Sequence, residues 1–164
     1  MFAIVLGGYV VADALSDRPP LPIAVADGVS ISAPLEWEFV NRVEPQPDGT
    51  EGVVLTRGAG TLILLTSPAT TSEVLADLDA ELTAGGMMSV GDTAAADLRE
   101  GQPAERFAFT GVLPELSATP VEGEATAVRG TSVTVLFMAW GGVGQYQPFV
   151  GDEIDRMISG ATIP

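Results

Sequence analysis

The residues best suited to touching a ligand are Gln145, Tyr146 and Gln147, which follow the glycine-rich run Gly141-Gly142-Val143-Gly144. An aromatic ring between two amides offers a stacking surface and hydrogen bonds, and loops on a rigid scaffold are where binding side chains gather. Two acidic clusters, Asp77-Leu78-Asp79-Ala80-Glu81 and Asp152-Glu153-Ile154-Asp155, offer hard oxygen donors. Neither has the spacing of a calcium loop, and on a helix positions 77 and 79 point about 200° apart. They read as a solvated helix face and as an acidic helix start that suits the macrodipole. Two carboxylates about 5 or 9 Å apart would suit glycoside hydrolysis, but nothing in the sequence singles out such a pair. Gly58-Ala59-Gly60 carries Ile63 where a dinucleotide fingerprint needs glycine, and a strand follows in place of a helix. Both glycine runs therefore read as turns. The expectation is no catalytic residue, no metal ligand and no cofactor, with 145–147 as the ligand or partner contacts.

The residue types that are missing narrow the chemistry further. The 164-residue chain has no cysteine, histidine or lysine; 7 arginines face 22 acidic residues, a net charge of −15. Thiolate metal sites, disulfides and a lipid-bearing cysteine are excluded. So are the Ser-His-Asp triad and imidazole-based zinc sites, and so are Schiff bases and Ser-Lys dyads. A negative field and scattered arginines argue against nucleic acid, which needs clustered cations to release counterions. With 46% hydrophobic residues and a mean hydropathy of +0.33 the chain is no disordered polyelectrolyte. Its length suits one domain.

The elements that would position these residues follow from periodicity. Val29–Ser32 alternates up to Pro34, and Trp37–Val43 alternates up to the turn at Pro45-Gln46-Pro47-Asp48-Gly49; both read as strands. Gly52–Thr56 and Thr61–Thr66 form a hairpin around Arg57–Gly60, and both are apolar on two faces, as a central strand is. Thr70 with Glu73 is a capping-box pattern, Gly85-Gly86 a stop, and Val74, Leu75, Leu78 and Leu82 share one helix face between them. Pro103–Val112 reads as a strand. Glu122–Val128 and Thr131–Trp140 read as a hairpin turning at Arg129-Gly130, its second strand apolar on both faces and hence central. Trp37 and Trp140 read as core residues. A helix over Phe149–Ser159 closes the chain, with Val150, Ile154, Met157 and Ile158 inward. Hairpins and sparse helices predict an α+β fold, a sandwich around a largely antiparallel sheet with one mid-chain and one C-terminal helix, in one domain over 23–163.

The start of the chain is read separately. Met1–Ala12 is apolar and uncharged, and as a helix it reaches roughly 18 Å against about 30 Å of hydrocarbon. Three readings stay open: the outer half of a transmembrane helix that begins upstream, a degenerate signal peptide, or an element of the core. The stem over 13–22, polar and then proline-rich, favours the first. That reading places the domain on the extracytoplasmic side of the cell membrane, attached through the N-terminal segment only.

Several segments resemble a known family. VSISAPLEWEFV, GQPAERFAFTG, TSVTVLFMAW and the closing DEIDRMISGATIP are similar in pattern and order to the PsbP-like domains, including the LpqN-type exported proteins of mycobacteria and other actinobacteria. The use of arginine to the exclusion of lysine also resembles high-GC actinobacterial composition. The resemblance covers roughly 23–163. It implies an α/β/α sandwich and a non-catalytic, exported, accessory or binding role. With the apolar start of the chain, the leading expectation is a membrane-tethered binding domain with an envelope protein as partner, and the alternative is a carrier of a small molecule or lipid. It carries no catalytic residues, and the lipobox cysteine of those relatives is missing here.

Overall fold

The computed structural model describes residues 21–112 and 119–164. Among these residues, nine strands and two α-helices form in the order β1 (Leu21–Ala24), β2 (Ser30–Ala33), β3 (Glu38–Val43), β4 (Glu51–Arg57), β5 (Gly60–Ser67), α1 (Thr71–Ala84), β6 (Met88–Ala95), β7 (Ala104–Val112), β8 (Pro120–Arg129), β9 (Thr134–Gly142) and α2 (Asp152–Ser159). Seven strands make one wholly antiparallel sheet in the order β3-β4-β5-β9-β8-β7-β6, and β1 and β2 pair as a separate ribbon. The α+β expectation holds. The strand that is apolar on both faces, β9, lies at the centre of the sheet, with every residue from Thr134 to Gly141 buried.

Because side chains alternate along β9, each sheet face has its own core. Val135, Phe137 and Ala139 pack with Val53, Leu55, Leu62 and Leu64 under α2 and the β1-β2 ribbon. Leu136, Met138 and Trp140 pack with Phe107, Phe109, Ala125 and Ala127 under Leu75 and Leu82 of α1. Trp37 and Trp140 are both buried. The covers differ in reach. On one face α1 lies over β6–β9, and on the other the ribbon and α2 cover a core that runs from β4 and β5 through β9 to Val128 of β8 and Ala104 of β7.

Local signals account for the ends of α1. The Thr70 side chain accepts from the Glu73 amide, and the Glu73 carboxylate accepts from the Thr70 amide at 2.9 Å. At the other end Gly86, at φ +87°, turns the chain so that its amide bonds Thr83 O and the Met87 amide bonds Leu82 O. This is a Schellman stop, sealed by contact of Met87 with the Leu82 cluster.

Two strands depart from the sequence reading. β1 begins at Leu21, two residues inside the stem expected over 13–22, and its Pro22 sits opposite Ser32. β6 was not legible: its eight residues are all exposed at a sheet edge, and Gly91-Asp92 interrupts it within a bulge between Val90 and Ala94. The other edge, β3, is likewise bulged between Phe39 and Asn41. Bulged edges are poor templates for pairing with another chain. The apolar Met1–Ala12 lies outside the described residues, and among those described no helix is long and apolar enough to cross a membrane.

Thr70→Ala removes the cap on α1 and is expected to cost about 1 kcal/mol. Urea unfolding measures this as a lower midpoint at unchanged slope.

Candidate functional site

Gln145 stands at one end of the sheet, where the β4-β5 turn meets the end of β9. The turn needs Gly58 at φ +56°. Gly60 leaves room for Val150, whose Cγ2 would sit only 3.0 Å from a Cβ there. Between Arg57–Gly60 on one side and Gly141, Gly142 and Gln145 on the other runs an open cleft of about 240 Å³ with Val150 in its lining. A second opening of about 630 Å³ shares Gly58, Ala59, Gly142 and Gln145 and extends past Thr61 and Trp140 to Val143, itself 56% exposed.

The three expected contact residues are not brought together on this surface. Gln145 lines both openings, but Gln147 does not and instead starts a π-helical turn, Gln147–Gly151, that leads into α2. Tyr146 is only 2% exposed and belongs to the core beneath α2. The cause is long-range: the Glu122 carboxylate accepts from the Gly144 amide at 2.8 Å and the Tyr146 amide at 3.3 Å, which pins the loop. Gly141 and Gly142 are also not loop residues, since they pair with Glu122 and Val121 at the end of β9.

Beneath the cleft the acidic start of α2 is tied to the sheet. The Glu153 carboxylate accepts from Trp37 Nε1 at 2.7 Å and from Arg57. Asp155 accepts from Arg106 Nη2 at 3.1 Å, and Glu124 lies 3.9 Å from Arg106 Nη1. Arg106 Nε is buried with no partner. Burial holds the Glu124 carboxyl above the ordinary carboxylate value, an effect that the Arg106 charge opposes. Burial, together with the charges of Glu124 and Asp155, pushes the Tyr146 phenol upward, so it stays protonated. One guanidinium between two carboxylates is a strut joining α2 to β7 and β8. It places no activated nucleophile beside a base.

The other described arginines also bond to the protein's own acceptors. Arg42 donates to Val25 O and Ala24 O, Arg99 to Ile158 O and Ser159 O at the end of α2, Arg129 to Pro68 O and Ala69 O, and Arg156 to Asp152 O. With Arg57 and Arg106, each of the six arginines among the described residues is bound to the protein's own acceptors. Arg99 in addition places a cation at the C-terminal end of α2, where it suits the macrodipole. Among the described residues, no group of three or more acidic side chains is placed to hold a metal ion.

Comparison with solved structures identifies the architecture. The chain superposes on the cyanobacterial PsbP protein of Synechocystis sp. PCC 6803 with a TM-score of 0.64 at 14% identity, covering 89% of this chain and 93% of that one. The fold is PsbP-like. LpqN of Mycobacterium tuberculosis, a protein involved in cell envelope biogenesis, matches with a TM-score of 0.56 at 18% identity over 93% of this chain and 95% of its own. A protein of Bacteroides thetaiotaomicron VPI-5482 matches at 0.53 and 7% identity, over 84% of this chain but 45% of that one. No protein-family model and no curated protein sequence matches the chain.

The raised Glu124 carboxyl gives a pH prediction. A carboxyl whose value in the fold is above its ordinary value of 4.5 favours the protonated fold, so its contribution is complete below that value and is lost as pH rises through the raised one. Glu124→Gln cannot ionise. The unfolding free energy of Glu124→Gln minus that of the wild type is therefore expected to grow as pH goes from about 4 to about 7, followed by urea melts across that range.

Proposed function

We propose that this is a non-enzymatic binding or accessory domain of the cell envelope. It is held at the membrane on the extracytoplasmic side by its N-terminal segment, and it contacts a partner protein through the cleft beside Gln145. The observation that carries the reading is the end-to-end likeness to LpqN, whose stated role is in cell envelope biogenesis. The site supports it too: the cleft is open, walled by glycine backbone and the Gln145 amide, and free of a nucleophile–base pair. Exposed backbone and an amide suit an extended protein segment, which recognises a surface through main-chain hydrogen bonds. An actinobacterial source fits both the arginine-only composition and this likeness.

A second reading, a small-molecule or lipid carrier, draws on the same cleft. The cleft itself, about 240 Å³, is below the roughly 300–1,000 Å³ usual for ligand pockets, but the adjoining opening of about 630 Å³ is within that range and supports this second reading.

The test is membrane fractionation of the source cells and protease treatment of intact cells, with a photo-cross-linking residue at position 145. The expected result is a domain that sediments with membranes, is shaved from outside and forms a discrete adduct with one protein. A cytosolic, protected domain overturns the location. A small molecule that co-purifies in native mass spectrometry and blocks the adduct replaces the partner reading with the carrier.

A further inference from the structure

The reach of α1 leaves part of one sheet face without a helix among the described residues, and this opening has the chemistry to define its occupant. Among the described residues, β3, β4 and β5 carry no helix on the α1 face. Strands lie about 4.8 Å apart, so roughly 14 Å of sheet is free beside α1, enough for a helix about 10 Å across. Next to α1 on this face lies a groove of about 650 Å³. Its floor is Leu65 of β5 and Leu136 of β9, and its α1 wall is formed by Val74 and Leu78. Leu65, Val74 and Leu78 are only partly buried, as is Ile63 in the next row of the sheet, and all four pack at the margin of the core under α1.

The far wall is the 45–49 turn, closed on itself by the Gly49 amide to Gln46 O at 3.0 Å and the Thr50 amide to Asp48 Oδ1 at 2.9 Å. Arg129 ties the Pro68 and Ala69 carbonyls at one end. The groove is therefore formed before anything enters it, which lowers the cost of ordering on binding.

Its rim is of one sign. Asp77 and Glu81 project from α1 beside Val74 and Leu78, a set at i, i+3, i+4 and i+7, and Asp48 faces them from the turn. The arginine at the groove, Arg129, is bound to backbone carbonyls and Thr134, and the other described arginines are likewise engaged elsewhere. The acidic rim is thus left without an intramolecular counter-charge among the described residues.

We propose that this groove docks a basic amphipathic helix of another protein, laid beside α1 with its apolar stripe on Leu65, Leu78 and Val74 and its cations facing Asp48, Asp77 and Glu81. Charge complementarity selects the partner, and the width of sheet beside α1 sets its shape. The groove shares no residue with the Gln145 cleft, so the inference stands apart from the reading given there.

The test uses the full chain and three labelled peptides of about 15 residues, roughly four helical turns. One is a Leu/Lys amphipathic helix, one its Leu/Glu counterpart, and one a scrambled Leu/Lys sequence of the same composition. Fluorescence anisotropy is expected to show tighter binding of the amphipathic Leu/Lys peptide than of the scramble, weakening with salt. Amide shifts should be confined to 48–50, 65 and 74–82. The double variant Asp77→Arg, Glu81→Arg lies on the exposed side of α1. It is expected to lose the Leu/Lys peptide by about ten-fold and to gain the Leu/Glu peptide, a reversal that misfolding cannot imitate. Equal binding of the scramble, or an unchanged preference in the double variant, overturns the proposal. If no peptide binds but dodecyltrimethylammonium shifts the same amides, the site takes a small cationic amphiphile and the helix proposal falls.

Discussion

The structure depends on one strand that is buried on both faces. β9 has no side free for water, so it needs a neighbour on each edge and a cover on each face. Antiparallel pairing with β5 and β8 supplies the edges, and the two cores supply the covers. A face seven strands wide is broader than one helix, so each cover reaches only part of it. On the α1 face, β3, β4 and β5 are accordingly left without a helix among the described residues.

Electrostatics is arranged along the same lines. The described arginines bond to the protein's own acceptors, carbonyls at the ends of β1 and α2, the Pro68–Ala69 segment, and Glu153 and Asp155, while most of the described acids face water. Charge-assisted bonds of this kind are stronger than neutral ones, and a half-buried guanidinium that lost its acceptor would be costly. The resulting negative surface keeps copies of the domain apart and favours cationic partners. The strut at Arg106 uses its titratable groups to hold α2 in place.

How much of this could be read from the sequence depended on how local each signal was. The two-sided apolarity of 133–140 announced a central strand, and Thr70, Glu73 and Gly85-Gly86 marked both ends of α1, because those signals lie within a few residues. β6 escaped because an exposed edge strand needs no hydrophobic alternation, and β1 because Pro22 suggested a stem. Tyr146 was misplaced for a different reason. What turns it inward is Glu122, more than twenty residues away, and no spacing rule connects the two. The links of Glu153 to Arg57 and Trp37 span about a hundred residues and were equally silent. Of the candidate site, the sequence identified Gln145 but not its walls, since Arg57, Gly60 and Val150 become neighbours only when the sheet forms.

The central claim is that both cores hang on β9, so neither face can open without the other. Native-state hydrogen exchange at rising urea measures this most directly, by comparing amides of β9 with those of α1 and α2. The account predicts that amides from Val135 to Trp140 exchange only through global unfolding, with the full urea dependence. The edges β3 and β6 should exchange through small local openings. If β9 amides exchanged more readily than those of either helix, or if one face opened with β9 still protected only from the other, the strand would not be the common support and the account would be wrong.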